Sequence, residues 1–211
     1  MTPVPHQLDH LVFAAPDLAA GIREVEARLG VRLATGGSHP AWGTKNALLP
    51  LGHSTYLEVI GPDPRHRSGA LPRLFGIDRL DAPRLVTWAA KGADLPDLTE
   101  RARSHGIDLG ETGGGSRVRP DGVTLTWQLT DPFKPRADGI LPFFIEWSGG
   151  DHPSAVQAAI VELVDLQARH PDPDRIAGEL RVLGVDLSVS YGPAPALAAS
   201  LRTPAGIVVL T

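Results

Sequence analysis

The chain contains no cysteine. That absence removes disulfides, thiolate metal sites and thiol nucleophiles together, and leaves His, Asp and Glu for any coordination chemistry. Long apolar runs are missing as well. No window approaches the ~18 residues of a membrane span, and the start "MTPVPHQLDH" has no basic segment followed by an apolar one, so a cytoplasmic location is the default expectation. Charge of one sign is not in excess: 20 Lys+Arg stand against 24 Asp+Glu, a net charge of -4, with no basic block. Nucleic acid and anionic membrane surfaces are therefore not indicated, and small molecules are the expected partners. Aromatic residues make up only 5%, yet four of them are tryptophans. With 42% apolar residues over 211 positions, the composition suits one large domain or two small ones sharing a core.

What is present is a repeated order of elements. Residues 7 to 14 form a strand, and "APDLAAGIREVEARLG" a helix capped by Asp17 and closed by Gly30. Strands "VRLATGG", "TKNALLPL" and "STYLEVIG" follow, the last after a Gly52-His53 turn. The order recurs with a strand at 84 to 90, a helix "DLPDLTERARSHG", and strands "IDLGETGGGSRV", "GVTLTWQLT" and "LPFFIEWSGG". Both closing strands place a Glu in an apolar run three residues before a Gly: Glu58 in "YLEVIG" and Glu146 in "FIEWSG". The modules span 7–61 and 84–149, and the Pro-, Arg- and Gly-rich connection 62–83 is long enough to cover part of a pocket. The fold class is α+β: paired βαβββ modules within residues 1–153, followed at 154–211 by a partial βαββ unit without a His or Glu at the corresponding place.

The chemistry-bearing residues stand on this frame. Strand alternation puts His10 on one face with Leu8 and Val12, and Asp9 on the other with Leu11 and Phe13. A lone strand histidine is most often satisfied by the core. Its meaning rises when two glutamates recur at one register of a repeated unit. Arg117 and Arg119 in "SRVRPDG" alternate with Val118 and share a face suited to clamping a substrate carboxylate. His39 and Trp42 are candidates for lining a substrate pocket, though core packing accounts for most tryptophans. "GETGGGS" lacks the Lys-Ser/Thr ending and following helix of a phosphate loop, and is taken as a flexible turn.

The strings "LDHLVFAAPDL", "GGSHPAWGTKNALLPLG", "YLEVIGPDP", "RPDGVTLTW" and "LPFFIEW", in that order over about residues 7 to 153, resemble the glyoxalase-like domain family of the vicinal oxygen chelate superfamily. The resemblance implies two modules whose sheets curl around a cup, with metal ligands from the first and last strand of each. Carried over, these are His10, Glu58 and Glu146, with Glu146 also the candidate catalytic base. The fourth place falls on Thr87 or Val86, neither a usual ligand. Such a set suits a divalent Zn, Mn, Mg or Ni ion with open positions. It disfavours an iron dioxygenase, which typically takes two His and a carboxylate, unless His39 or His53 swings in.

The implied activity is that of a lyase or isomerase: the metal chelates a small oxygenated substrate and a carboxylate removes the proton beside its carbonyl. The alternative is a metal-free protein that binds or sequesters a small molecule in the same cup, as the resistance branch of that superfamily does. A third option is an interaction module with a filled cup. Monomer and homodimer are both compatible with the resemblance.

Overall fold

The computed structural model describes residues 4–66, 73–118, 122–134, 136–149 and 152–211. Strand β1 (Leu8–Ala14) leads into helix α1 (Leu18–Leu29). The Asp17 side chain accepts the Ala20 N–H at the helix start, and the Gly30 N–H returns to the Glu26 carbonyl at its end. Strands β2 (Ala34–His39), β3 (Thr44–Gly52) and β4 (Thr55–Pro62) complete the first module. The second comprises β5 (Arg84–Lys91), α2 (Leu95–Ser104), β6 (Gly113–Val118), β7 (Thr124–Leu129) and β8 (Phe143–Gly149). Strand β6 is half the length of the segment that sequence pattern assigned to it.

The modules join edge to edge. Strand β1 pairs antiparallel with β5, giving an eight-stranded sheet in the order β2-β3-β4-β1-β5-β8-β7-β6. The sheet curls far enough to bring its two edges together: Gly37 of β2 lies against the Arg117 side chain of β6, and a Cβ at Gly37 would stand 2.8 Å from Arg117 Cδ. Bringing the edges together in this way, without ladder pairing between β2 and β6, curls the sheet around a cup.

The sheet divides the core into two layers. Leu11 and Phe13 of β1, Val25 and Leu29 of α1, and Leu95 and Leu98 of α2 pack on the convex side. On the concave side Val12, Ile60, Leu125, Trp127, Phe143 and Ile145 line the interior of the cup. Leu74 and Ile77, from a short 3-10 helix at Leu74–Arg79 in the connection between modules, are fully buried against this concave layer. The connection therefore covers part of the cup, as its length and composition suggested.

The tail carries one strand more than expected. Strand β9 (Glu162–His170), helix α3 (Pro173–Val182) and strands β10 (Val189–Tyr191), β11 (Ala196–Thr203) and β12 (Gly206–Leu210) form a second sheet in the order β10-β9-β11-β12. Its element order is a full βαβββ, not the partial βαββ. The missed strand is "ALAASLRT", whose alanines and single serine give little β signal, although alternate residues Leu197, Ala199 and Leu201 are buried. Its winding also differs from the modules. Strand β10 runs parallel beside β9, whereas in the first module the last strand, β4, runs parallel beside β1. Leu163, Leu166, Leu197 and Leu201 of this sheet join the convex core. Among the described residues, no helix is long and apolar enough to cross a membrane.

Candidate active site in the cup

The cup's polar centre is built at an irregularity. Pairing of β1 with β5 shifts register between Leu8 and His10, a β-bulge that interrupts strict alternation. Leu8 therefore packs with Leu11 and Phe13 in the convex core, not on the side of His10 as alternation required. Asp9 and His10 are left as neighbours at the cup, both buried. The Asp9 carboxylate accepts three N–H groups: His10 Nδ1 at 2.7 Å, Trp147 Nε1 at 3.1 Å and His152 Nε2 at 3.1 Å. The backbone N–H of Ser154 donates to His152 Nδ1, so the His152 proton sits on Nε2, facing Asp9. Burial by itself would raise the Asp9 carboxyl, but hydrogen bonds from His10 and His152 and their nearby charges outweigh it and hold the group well below the usual carboxylate range.

These bonds set the orientation of His10. Its Nδ1 donates to Asp9, which leaves Nε2 pointing away from that carboxylate. The ring stacks on Tyr56 at 4.6 Å and meets the edge of Phe143 at 5.6 Å. Beyond it, Glu58 Oε2 lies 3.8 Å from Nε2. Glu58 comes from β4, the parallel neighbour of β1, and is itself buried. Asn46 of β3 fixes it: the Asn46 amide nitrogen donates to Glu58 Oε1, while Asn46 Oδ1 accepts from Gly37 N at 2.8 Å and from Arg117 Nη1 at 3.4 Å. A chain of polar groups thus runs Trp147, Asp9, His10, Glu58, Asn46, Arg117 across the cup. Tyr56 is buried beside the same carboxylates, and burial foremost, with Asp9 and Glu58, pushes its hydroxyl far above the ordinary value.

His10, Glu58, Arg117, His39 and Trp42 all line one cavity, of about 40 Å³. That is room for ~3 water molecules, or a molecule of only a few heavy atoms. Trp127, Phe143, Ile145 and Trp147 form the facing wall, and Leu74 and Phe75 close it. His39 donates to or accepts from Thr44 Oγ1 at 3.0 Å, and burial holds it neutral by lowering its proton affinity. Trp42 also borders a wider groove of about 920 Å³ along α2 and Phe133, whose lining includes acidic and basic side chains. Arg119 lies outside the described residues.

Glu146 is not brought to the cavity. In β8 the cup-facing residues are Phe143, Ile145 and Trp147, so Glu146 stands on the other face with Phe144, opposite Gln128 of β7. The match of "YLEVIG" to "FIEWSG" is offset by one residue from the match of their faces, and one residue flips a strand side chain. His53 sits in an exposed turn away from the cavity. Neither Asn46 nor His152 was singled out from the sequence. Asn46 left a trace, a polar residue inside the apolar strand "TKNALLPL"; His152 left none.

The donor set bears on the implied metal. His10 Nε2 and Glu58 Oε2 are two ligands, and the third expected one faces away. Among the described residues no group of three or more His, Asp or Glu side chains could hold an ion. The neighbours that complete the cup wall, the Asn46 amide N–H and the Arg117 guanidinium, are hydrogen-bond donors and not ligands. Catalytic zinc sites use three protein ligands, and magnesium and calcium need oxygen-rich shells. These residues do not fit a resident divalent ion.

A family model described as a glyoxalase-like domain matches residues 8–184 of this sequence. The chain belongs to the glyoxalase-like domain family. The match runs past the two modules, through β9 and α3, so the glyoxalase-like region extends beyond the residues whose strings carried the resemblance. No curated protein sequence matches the chain. Among solved structures, a hypothetical protein from Staphylococcus aureus aligns with a TM-score of 0.67 at 12% identity, covering 98% of each chain. It shares the whole architecture, tail included. Methylmalonyl-CoA epimerase from Mycobacterium tuberculosis aligns at TM-score 0.44 and 21% identity, over 71% of this chain and 93% of its own. A variant of methylmalonyl-CoA epimerase from Streptomyces coelicolor, in complex with 2-nitronate-propionyl-CoA, aligns at TM-score 0.44 and 18% identity, over 68% of this chain and 98% of its own.

Proposed function

We propose that this glyoxalase-like protein is an enzyme of isomerase or lyase type that moves a proton on a carbon next to a carbonyl group in a small substrate, with His10 and Glu58 as the acid–base pair. The supporting observation is the alignment of Asp9, His10 and Glu58: an orienting carboxylate 2.7 Å behind the imidazole and a second carboxylate 3.8 Å in front, all buried. A base held in one tautomer by a buried acid, facing a narrow and largely apolar cavity, is the arrangement that proton abstraction needs.

The steps follow from the atoms. His10 Nε2 takes the proton from the substrate carbon, the C–H electron pair forms the carbon–carbon double bond of an enolate, and the carbonyl π pair moves onto oxygen. The imidazolium so formed lies between Asp9 and Glu58, whose charges stabilise it. Nε2 then returns the proton to the same or the adjacent carbon, directly or after passing it to the Glu58 carboxylate, or the enolate expels a leaving group from the carbon next to the double bond. The metal-assisted version expected from the sequence would need a third donor in place of Glu146, and no step above is routed through an ion.

The test is hydrogen exchange. Chelator-treated protein is incubated in D2O with pyruvate and with dihydroxyacetone, and loss of the C–H signals is followed by proton NMR. The intact protein is expected to exchange one of them, and His10→Ala and Glu58→Gln to lose about a hundredfold or more. Equal exchange by both variants refutes the assignment, and exchange that appears only on adding Zn, Mn, Mg or Ni restores the metal-dependent version. The aromatic wall of Trp42, Trp127 and Trp147 supports one further reading, sequestration of a ligand without turnover. Saturable binding with no exchange would establish that reading instead.

A further inference from the structure

We infer that Arg117 and the indole N–H of Trp127 form a subsite for a carboxylate, so that the molecule the cup accepts is a small organic acid. The inference rests on the proton-transfer reading of His10 and Glu58 and specifies its substrate class. Its basis is an imbalance between donors and acceptors on the β6–β7 side of the cavity. Trp127 is buried, lines the cavity, and its Nε1 has no hydrogen-bond acceptor among the described residues. A buried N–H without a partner costs ~1–3 kcal/mol, a cost that a bound acceptor removes.

Arg117 presents the same imbalance with a charge. It is 6% exposed, and among the described residues lining the cavity it is the one permanent cation. Its guanidinium carries five N–H groups, of which one reaches Asn46 Oδ1 at 3.4 Å, a long bond to a neutral oxygen. Among the described residues no carboxylate lies within ion-pair distance of it. The two acids of the cup are already engaged: Asp9 accepts three donors, and Glu58 accepts from Asn46. A buried guanidinium seeks a planar two-oxygen partner, and a substrate carboxylate supplies one.

Space for the Arg117 side chain is made by Gly37, where any Cβ would press on it, so the cation is seated by the closing of the sheet edges and not by chance on a surface. Cavity size narrows the class further. About 40 Å³ favours the smallest acids, of two or three carbons.

The experiment compares an acid with its neutral counterparts. Tryptophan fluorescence is titrated with pyruvate, with pyruvamide and with acetone. Saturable quenching is expected for pyruvate alone, weakened at least tenfold by Arg117→Met and measurably by Trp127→Phe. Arg117→Lys, which keeps the charge but not the fork, is expected to fall between, and covers the case in which the Met variant does not fold. Pyruvamide binding as tightly as pyruvate, or Arg117→Met binding unchanged, overturns the assignment. The two proposals fail separately. Pyruvate that binds while neither pyruvate nor dihydroxyacetone exchanges leaves the subsite standing and removes the proton transfer, whereas acetone exchanging as fast as pyruvate does the reverse.

Discussion

Replacing Asp9 by Asn tests the centre of the site with little change of shape. Asp9 is fully buried and accepts N–H donors from three different places: His10 beside it, Trp147 on β8 and His152 beyond. Each hydrogen bond to a charged acceptor contributes ~1.5–3 kcal/mol, and the Asn amide offers one acceptor oxygen while turning two N–H groups toward existing donors. At least one of the three donors then loses its partner. A loss of ~3 kcal/mol is expected, which at a urea slope of ~2 kcal/mol/M lowers the unfolding midpoint by ~1.5 M.

The pH dependence supplies a second, signed readout. The folded Asp9 carboxyl titrates below its unfolded value of ~3.9, so its stabilisation is complete above that pH and is lost as pH falls through the lower folded value. The parent protein should therefore lose stability below about pH 4 by a margin that Asp9→Asn does not show. Asp17→Asn, at an exposed helix start where Asn caps as well as Asp, is the control and should stay within ~0.5 kcal/mol. An Asp9→Asn midpoint within ~0.3 M of the parent would mean that the three donors are satisfied otherwise, and the role given to Asp9 would be wrong.

Two further outcomes follow from the geometry. Glu146→Gln should change stability by no more than ~0.5 kcal/mol and leave exchange and pyruvate binding as in the parent; a loss comparable to that of Glu58→Gln would show that the outward placement of Glu146 is not the working one. Gly139→Ala should cost at least ~3 kcal/mol in urea unfolding, because Gly139 has φ +93° and a Cβ there would stand 1.9 Å from the Val86 carbonyl oxygen. A well-folded Gly139→Ala protein with unchanged midpoint would show that β5 and the β7–β8 connection are not packed as described.

The parts legible in the sequence were those governed by local rules. Helix α1 announced itself by Asp17, its apolar spacing and Gly30, and the duplicated order of elements followed from reading such signals twice. The curl of the sheet was not legible, because it depends on contact between β2 and β6, far apart in sequence, and on Gly37 yielding space to Arg117. Strand β11 stayed hidden behind alanines that obtain their β conformation from pairing with β9 and β12. His10 was found for its residue type, but the bulge that places Asp9 beside it is set by the β5 pairing and leaves no mark in "LDHLVFAAPDL". Glu58 and Glu146 were found together because their surrounding letters match. Only Glu58 faces in, since each strand's facing is set by its own neighbour.

That difference between the two glutamates bears on how, under the proposed function, a duplicated fold would make a site for one proton. The inward residues of β4 are Tyr56, Glu58 and Ile60, whereas those of β8 are Phe143, Ile145 and Trp147. A second inward carboxylate opposite Glu58 would create two like charges in a narrow cavity, one of which would take up a proton and stop serving as an acceptor. With an apolar wall there instead, the charge of Glu58 and the lone pair of His10 face a surface that offers them no competing donors, apart from those of Asn46 and the β6–β7 side. Low polarity on that wall strengthens the field between His10 and its two flanking carboxylates, because water does not screen it. On the proposed function the first module would supply the proton chemistry and the second the apolar wall and the cation, so that the symmetry of the backbone is broken at the side chains where the reaction would take place.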